Sequence, residues 1–157
     1  RRGKALVGNL SIKENVLLSC IDRYAKHGYL DEKKEKQDVS EKAEALKIRM
    51  TGLDQRIIEL SGGNQQKAVF AKALMTNPKV FLCDEPTQAV DIMTRNEIHK
   101  LLREKADAGN AVVYVSSDLK EILEVADTIQ LVVQGETRQL LVNENLTTTE
   151  VLSYCYE

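Results

Sequence analysis

Hydrophobic positions change their period partway along the chain. From Ser11 onward, Ile12, Val16, Ile21 and Tyr24 recur at helical spacing as far as Gly28, and Ser11 with Glu14 three residues on forms a capping-box pattern. A helix is expected there. The next stretch, DEKKEKQDVSEKAEALKIRM, is strongly charged and carries few apolar residues before Ala43, Ala45, Leu46 and Ile48. That pattern predicts a solvated helix anchored mainly at its far end. Gly52 and Leu53 lead through a short connector, DQRIIEL, into SGGNQQKAVFAKAL, whose Ala-, Gln- and Lys-rich later part has the composition of a good helix.

In the second half the apolar residues come in short runs. KVFLCDE, bounded by Pro78 and Pro86, and AVVYVSS, rich in β-branched residues, read as strands buried on both faces. Between them DIMTRNEIHKLLREKADAGN carries Ile98, Leu101 and Leu102 at helical spacing and stops at Gly109. This is a β-α-β unit, so a parallel pair joined by a right-handed crossover is expected. A helix, DLKEILEVA, a strand, TIQLVVQ, a turn at Gly135, a further strand, TRQLLV, and a short C-terminal helix in TTTEVLSYCYE follow. The expected fold class is α/β, a parallel sheet with flanking helices plus an α-helical subdomain. No internal repeat, low-complexity segment or heptad array interrupts it.

Composition narrows the function classes. The 157 residues are 43% hydrophobic and 29% charged, enough for an ordinary globular domain with a core. A net charge of −2 gives no basic footprint for nucleic acid. No apolar run approaches the roughly 20 residues that span a bilayer, and RRGKALVGNL has no long apolar segment of a signal peptide. Any membrane role is expected to be borrowed from a partner. Cys20, Cys83 and Cys155 are odd in number and widely spaced, without a C-x-x-C pair, so neither a disulfide framework nor a zinc site is indicated. A reducing, cytoplasmic setting fits. Cys83, inside an apolar run, reads as a buried small hydrophobe. His27, beside Gly28 at an expected helix end, and His99, within NEIHKLL, both read as structural.

The chemistry concentrates at two places. In LSGGNQQK two consecutive glycines, Gly62 and Gly63, stand where a helix begins, although each costs about 1 kcal/mol relative to alanine in a helix interior. Glycine there permits close approach to the backbone, and a helix N-terminus with Ser61 beside it offers donors to an anion such as phosphate. Taken alone, SGG would be an ordinary loop with Ser61 as N-cap. The second place is the carboxyl end of the strands, where open parallel sheets bind ligands. It carries Asp84 and Glu85 on one strand, and Ser116 and Ser117 on the other. Four apolar residues, Val80 to Cys83, followed by two acids and Pro86, form a Walker B pattern, in which the first acid helps hold Mg²⁺ and the second orients an attacking water.

Together, LSGGNQQKAVFAKALMTNPKVFLCDEPTQAVD resembles the signature motif, Walker B strand and D-loop of an ATP-binding-cassette ATPase, in the family's order and spacing. With DEPTQAVD and VYVSSDLKEI, the NQQK continuation is most similar to the second cassette of the two-cassette ATPase subunits of simple-sugar importers of the ribose and galactoside type. LSIKENVLL matches the start of that family's helical subdomain. The resemblance implies a partial P-loop NTPase fold. Residues 1–76 would be the helical subdomain with the signature and its helix, and residues 77–157 the C-terminal half of a RecA-like core. It implies ATP and Mg²⁺ as cofactors, with Glu85 catalytic, Asp84 on the metal, and Ser61, Gly62, Gly63, Gln65, Asp91 and Ser117 on the nucleotide. In this family two cassettes pack head to tail, and the signature of one closes over ATP held by the P-loop of the other. Gly62 and Gly63 would then let the backbone come close to the γ-phosphate, and Ser61 would donate to it. The implied partners are a second cassette, transmembrane permease subunits and, indirectly, a periplasmic or extracellular sugar-binding protein, with no nucleic acid. The implied location is the inner face of the cell membrane.

Two departures bear on activity. The phosphate-cradling G-x-x-x-x-G-K-[ST] loop is absent; GKALVGNL, from Gly3 to Gly8, matches its glycine spacing but lacks the Lys, the Ser/Thr and a preceding strand. The chain is therefore expected to be a C-terminal fragment, beginning downstream of the P-loop and Q-loop and inactive alone. The family's switch histidine aligns with Ser117, which has no imidazole. This opens an alternative, a non-catalytic cassette acting mainly as an interaction surface, against which Glu85 speaks. DNA-repair and chromosome-maintenance ATPases share LSGG but usually carry long coiled coils or zinc-binding cysteines, which are not seen here. The acidic balance and NQQK argue against translation-factor cassettes.

Overall fold

The computed structural model describes residues 5–26 and 28–156; His27 and Gly3 lie outside the described residues. Helix α1, Ile12–Leu17, starts at the expected capping box: the Ser11 N–H donates to Glu14 Oε2 at 2.7 Å, and Ser11 Oγ accepts from the Glu14 N–H at 3.2 Å. The helix stops early, however. Ile21 and Tyr24 belong to a separate tight helical turn, Ile21–Tyr24, and the chain then forms strand β1, Ala25–Lys26, antiparallel to β2, Tyr29–Leu30. Tertiary contacts override the helical period here. Tyr24 donates its hydroxyl to Asp38 at 2.8 Å, and Arg23 donates to the carbonyls of Met75 and Thr76 at 2.7 and 2.9 Å.

Helix α2, Glu32–Ala45, is N-capped by Asp31 and buries Glu35, Val39 and Ala43, a stripe at steps of four residues. It is therefore held along its length rather than mainly at its far end, because Glu35 turns inward and pairs with Lys13 Nζ at 3.3 Å. Helix α3, Gly62–Met75, contributes Ala68, Ala71 and Met75 to the same core, with Ile12, Val16 and Ile57.

Strand β3, Val80–Asp84, helix α4, Ile92–Asp107, and strand β4, Ala111–Val115, form the predicted β-α-β unit; the strands pair in parallel from Val80↔Ala111 to Asp84↔Val115. Phe81 and Cys83 pack with Phe70, Ile98 and Leu102. Burial pushes the Cys83 thiol up to about 11. The opposite face is open: Leu82 is 76% exposed, Val80 59%, and Val113 and Val115 48% each. The expectation of strands buried on both faces is thus corrected, since α3 and α4 cover only the Phe81 and Cys83 side.

Helix α5, Leu119–Val125, leads into β5, Thr128–Val133, which pairs antiparallel with β6, Glu136–Val142, outside the parallel pair. The expected turn is Gln134–Gly135, where φ is +51° and +85°. A two-residue hairpin turn that follows strand twist needs positive φ at both positions, hence glycine at the second. Helix α6, Thr148–Tyr156, closes the third core through Val151 against Ile122, Ile129 and Leu141. All three cysteines are free. Among the described residues no helix is long and apolar enough to cross a membrane.

Candidate functional site

Ser61 sits at the N-cap of α3 in extended conformation, and its Oγ accepts from Asn64 Nδ2 at 2.9 Å. Asn64 in turn accepts from the Arg49 N–H at 2.9 Å, which fixes the approach to the helix. Gln65 turns back to donate to the Leu60 carbonyl at 2.9 Å. The start of α3 therefore keeps its polar side chains on local partners and leaves Ser61 exposed.

Gly63 has an intramolecular reason to be glycine. A Cβ placed there would lie 2.8 Å from Thr94 Oγ1 and 3.2 Å from Asp91 Oδ2. Asp91 is the N-cap of α4, accepting from the backbone N–H and the hydroxyl of Thr94, both at 2.9 Å. Those two bonds hold its carboxyl below the usual value. The beginnings of α3 and α4 thus meet at Gly63. Farther along α3, Gln66 Nε2 donates to the Pro86 carbonyl at 2.7 Å, and Lys67 Nζ pairs with Glu97 at 2.5 Å. These contacts tie the LSGGNQQK helix to the segment that follows β3.

At the end of β3, Asp84 is exposed and Glu85 half-buried. Glu85 has φ +44° and Ala89 +57°, left-handed conformations that cost non-glycine residues on the order of 1–3 kcal/mol and cluster at functional sites. Glu85 is held twice: its N–H donates to the Val115 carbonyl at 2.9 Å, and Oε1 accepts from the Ser117 N–H at 2.8 Å. Glu85 and Ser117 are thereby brought together, as Gly63 and Asp91 are. Side by side, Asp84 and Glu85 offer carboxylate oxygens of the kind Mg²⁺ takes, one or two from protein with the remainder from phosphate and water. Among the described residues no group of three or more His, Cys, Asp and Glu gathers.

A buried polar cluster lies behind this edge, at residues that no sequence motif marks. Glu121, 3% exposed, receives Thr87 Oγ1 at 2.5 Å, Ser116 Oγ at 2.8 Å and His99 Nε2 at 2.9 Å. Its signal in sequence is ambiguous. Asp118 followed by Glu121 reads as a capping pair pointing to solvent, and Asp118 does cap α5, accepting from the Lys120 and Glu121 N–H groups. The Glu121 carboxylate instead turns inward. Burial pushes it upward, but the bonds from Thr87, Ser116, Tyr114 and His99 outweigh burial and hold it below its ordinary value.

Comparison with known proteins gives the family and the fold. The sequence profile described as ABC transporter matches residues 2–88. The chain is 39% identical over 153 residues to a xylose import ATP-binding protein of Paraburkholderia xenovorans (strain LB400), which covers 98% of this chain and 30% of that protein. It is 39% identical over 152 residues to a ribose import ATP-binding protein of Lactococcus lactis subsp. lactis (strain IL1403), covering 97% and 31%. The chain thus spans about a third of the length of the curated relatives it matches. The dimeric structure of a bacterial ABC transporter cassette superposes with a TM-score of 0.76 at 27% identity, covering 90% of this chain and 60% of that one.

Proposed function

Because the chain belongs to the ABC transporter family, we propose that it is part of the ATP-binding and ATP-hydrolysing subunit of an importer of simple sugars. In this reading residues 1–76 form the helical subdomain and residues 77–157 the C-terminal half of the ATPase core. Ser61, Gly62 and the N-terminus of α3 donate to the γ-phosphate of ATP held by a second cassette. Gly63 and Gln65 shape that turn, Asp91 fixes the start of α4 against it, and Ser117 faces this cassette's own nucleotide. Magnesium bound with ATP neutralises phosphate charge; Asp84 would hold it, and Glu85 would orient the attacking water. The partners are a second cassette, permease subunits and, through them, a sugar-binding protein, with the chain on the cytoplasmic face of the membrane. The relatives named for xylose and ribose import support the substrate class.

The observation that carries this reading is Glu85. Its carboxylate is fixed by the Ser117 N–H at the carboxyl end of a parallel pair, beside the exposed Asp84. Steady-state ATP turnover of the intact transporter with and without Glu85→Gln tests it, with a large loss expected. The isolated chain should hydrolyse ATP no faster than buffer, since it has no G-x-x-x-x-G-K-[ST] loop to position phosphates. Mg²⁺-dependent turnover by the purified chain, abolished by Glu85→Gln, would contradict that. A second reading, a nucleotide-binding cassette without hydrolysis, is favoured by Ser117, which has no imidazole. Wild-type turnover in Glu85→Gln would decide for it.

A further inference from the structure

Glu121 is two-sided. Oε1 takes the hydroxyl of Thr87, two residues beyond Glu85, and Oε2 takes the hydroxyl of Ser116, the residue before Ser117. One carboxylate therefore bonds both segments between which the Glu85–Ser117 hydrogen bond forms. Its surroundings hold it still. Tyr114 OH lies 3.2 Å from both Thr87 Oγ1 and His99 Nε2, and the His99 and Tyr114 rings meet edge to face at 5.8 Å. Arg95 stands between acids, with Nε 3.7 Å from Glu121 Oε1 and Nη1 3.7 Å from Asp118 Oδ2.

Stability alone is a poor reason for such a group. A buried charge is no better for folding than apolar residues of similar volume, whereas directional bonds fix one arrangement of the segments they join. Ser116 also accepts from the Asp118 N–H at 3.1 Å, so the Ser116–Asp118 turn is built around the same hydroxyl that Glu121 receives. On the Thr87 side, the Gln88 N–H returns to the Glu85 carbonyl at 3.2 Å, which makes the Glu85–Gln88 turn a unit anchored through Thr87.

We infer that Glu121 is a positioning residue: through Thr87 and Ser116 it holds the two turns that keep the Glu85 carboxylate on the Ser117 N–H. The inference rests on the reading of Glu85 as the group that orients water. Glu121 touches no reacting atom in this arrangement; it acts through Glu85.

The test uses the intact transporter with Glu121→Gln, Thr87→Val and Thr87→Ser, alongside Glu85→Gln. Glutamine turns an amide N–H toward one of the two hydroxyl donors, valine removes the Thr87 hydroxyl, and serine keeps it. Glu121→Gln and Thr87→Val should lower kcat about tenfold or more, as small misplacements of catalytic groups do, with KM for ATP within about twofold. Thr87→Ser should retain turnover. Without nucleotide, hydrogen exchange at the Ser117 amide should accelerate about tenfold in the first two variants, while exchange within α3 stays unchanged. Unaltered Ser117 exchange overturns the inference whatever turnover does. So does faster exchange with unaltered kcat where Glu85→Gln abolishes turnover, because Glu85 would then not depend on the clamp. If Glu85→Gln itself spares turnover, the reading of Glu85 fails, and faster Ser117 exchange still upholds the clamp. Should Glu121→Gln unfold the subunit, the Thr87→Val and Thr87→Ser pair makes the same comparison.

Discussion

The backbone N–H of Ser117 donates to Glu85 Oε1 at 2.8 Å, and the Glu85 N–H donates to the Val115 carbonyl at 2.9 Å. Ser117 thus supports Glu85 through its main chain, and its hydroxyl is not the atom engaged. Ser117→Ala keeps that N–H. In the intact transporter it should be milder than Ser61→Ala or Gly62→Asp, the first removing a donor from the proposed phosphate contact and the second adding a clash and a negative charge. A donor lost at a developing phosphate charge can cost roughly 10²-fold in rate. Steady-state ATPase and transport assays of the three single variants check the order. Ser117→Ala as the most damaging of them would mean that turnover depends on the Ser117 hydroxyl rather than on the Ser61 and Gly62 contact, and that the signature reading is wrong.

Gly63 yields a separable prediction, because its obstacle is a side chain. Gly63→Ala puts a methyl 2.8 Å from Thr94 Oγ1, and overpacking of this kind costs typically about 1–3 kcal/mol. Removing that oxygen with Thr94→Ala also removes a bond to Asp91, so the single change destabilises too. The double variant should be more stable than the sum of the two losses predicts, by an interaction that residues in contact commonly show. Thermal melts of the four proteins in the intact subunit measure it; strict additivity would mean that the helix shifts without meeting Thr94.

What sequence made legible follows from locality. Capping at Ser11 and the turn at Gly135 depend on residues within a few positions, and both are found as read; Ser61 takes the N-cap place that SGG taken alone suggests. The α1 period failed at Ile21 because Arg23 bonds Met75, 52 residues away. Glu35 looked solvated because its partner, Lys13, is 22 residues distant. The same limit governs the site. Asp84, Glu85, Ser116 and Ser117 could be located from strand ends alone, and the parallel register brings the two ends together. The Glu121 cluster could not be located, since its members come from four segments and Thr87 and Glu121 are 34 residues apart. Lys67 and Glu97 come together only where α3 and α4 pack, which no local pattern marks.

The open side of the parallel pair should make this chain associate by itself. Leu82 is 76% exposed, and Val80, Val113 and Val115 lie on the two paired strands with 48–59% exposure. A two-stranded sheet also presents unpaired edges. Both features favour self-association. Light scattering of the isolated chain should give a mass that rises with concentration, and Leu82→Glu with Val113→Lys should reduce the rise. A concentration-independent monomer with a cooperative, high-temperature melt would contradict the prediction.

Glu121 also sets a pH dependence whose sign can be worked out. Its folded carboxyl lies below the ordinary value of 4.5 because the bonds from Thr87, Ser116, Tyr114 and His99 outweigh the upward push of burial. A depressed carboxyl contributes stability that is present above the unfolded value and is lost as pH falls through the folded one. Glu121→Gln carries no such titration. Its melting temperature should therefore lie well below that of the wild type at pH 7, where hydrogen bonds to the charged carboxylate contribute about 1.5–3 kcal/mol each. The gap should narrow as pH falls below 4.5, because protonation leaves the wild type with a neutral group in the same pocket. Arg95 and His99 face this carboxylate directly, and Asp118 faces Arg95. Melting temperatures of the two intact subunits measured from pH 7 to pH 4 give the comparison. A gap that stayed constant, or widened toward acid, would show that the carboxylate is not the charged acceptor of Thr87 and Ser116 in the folded protein.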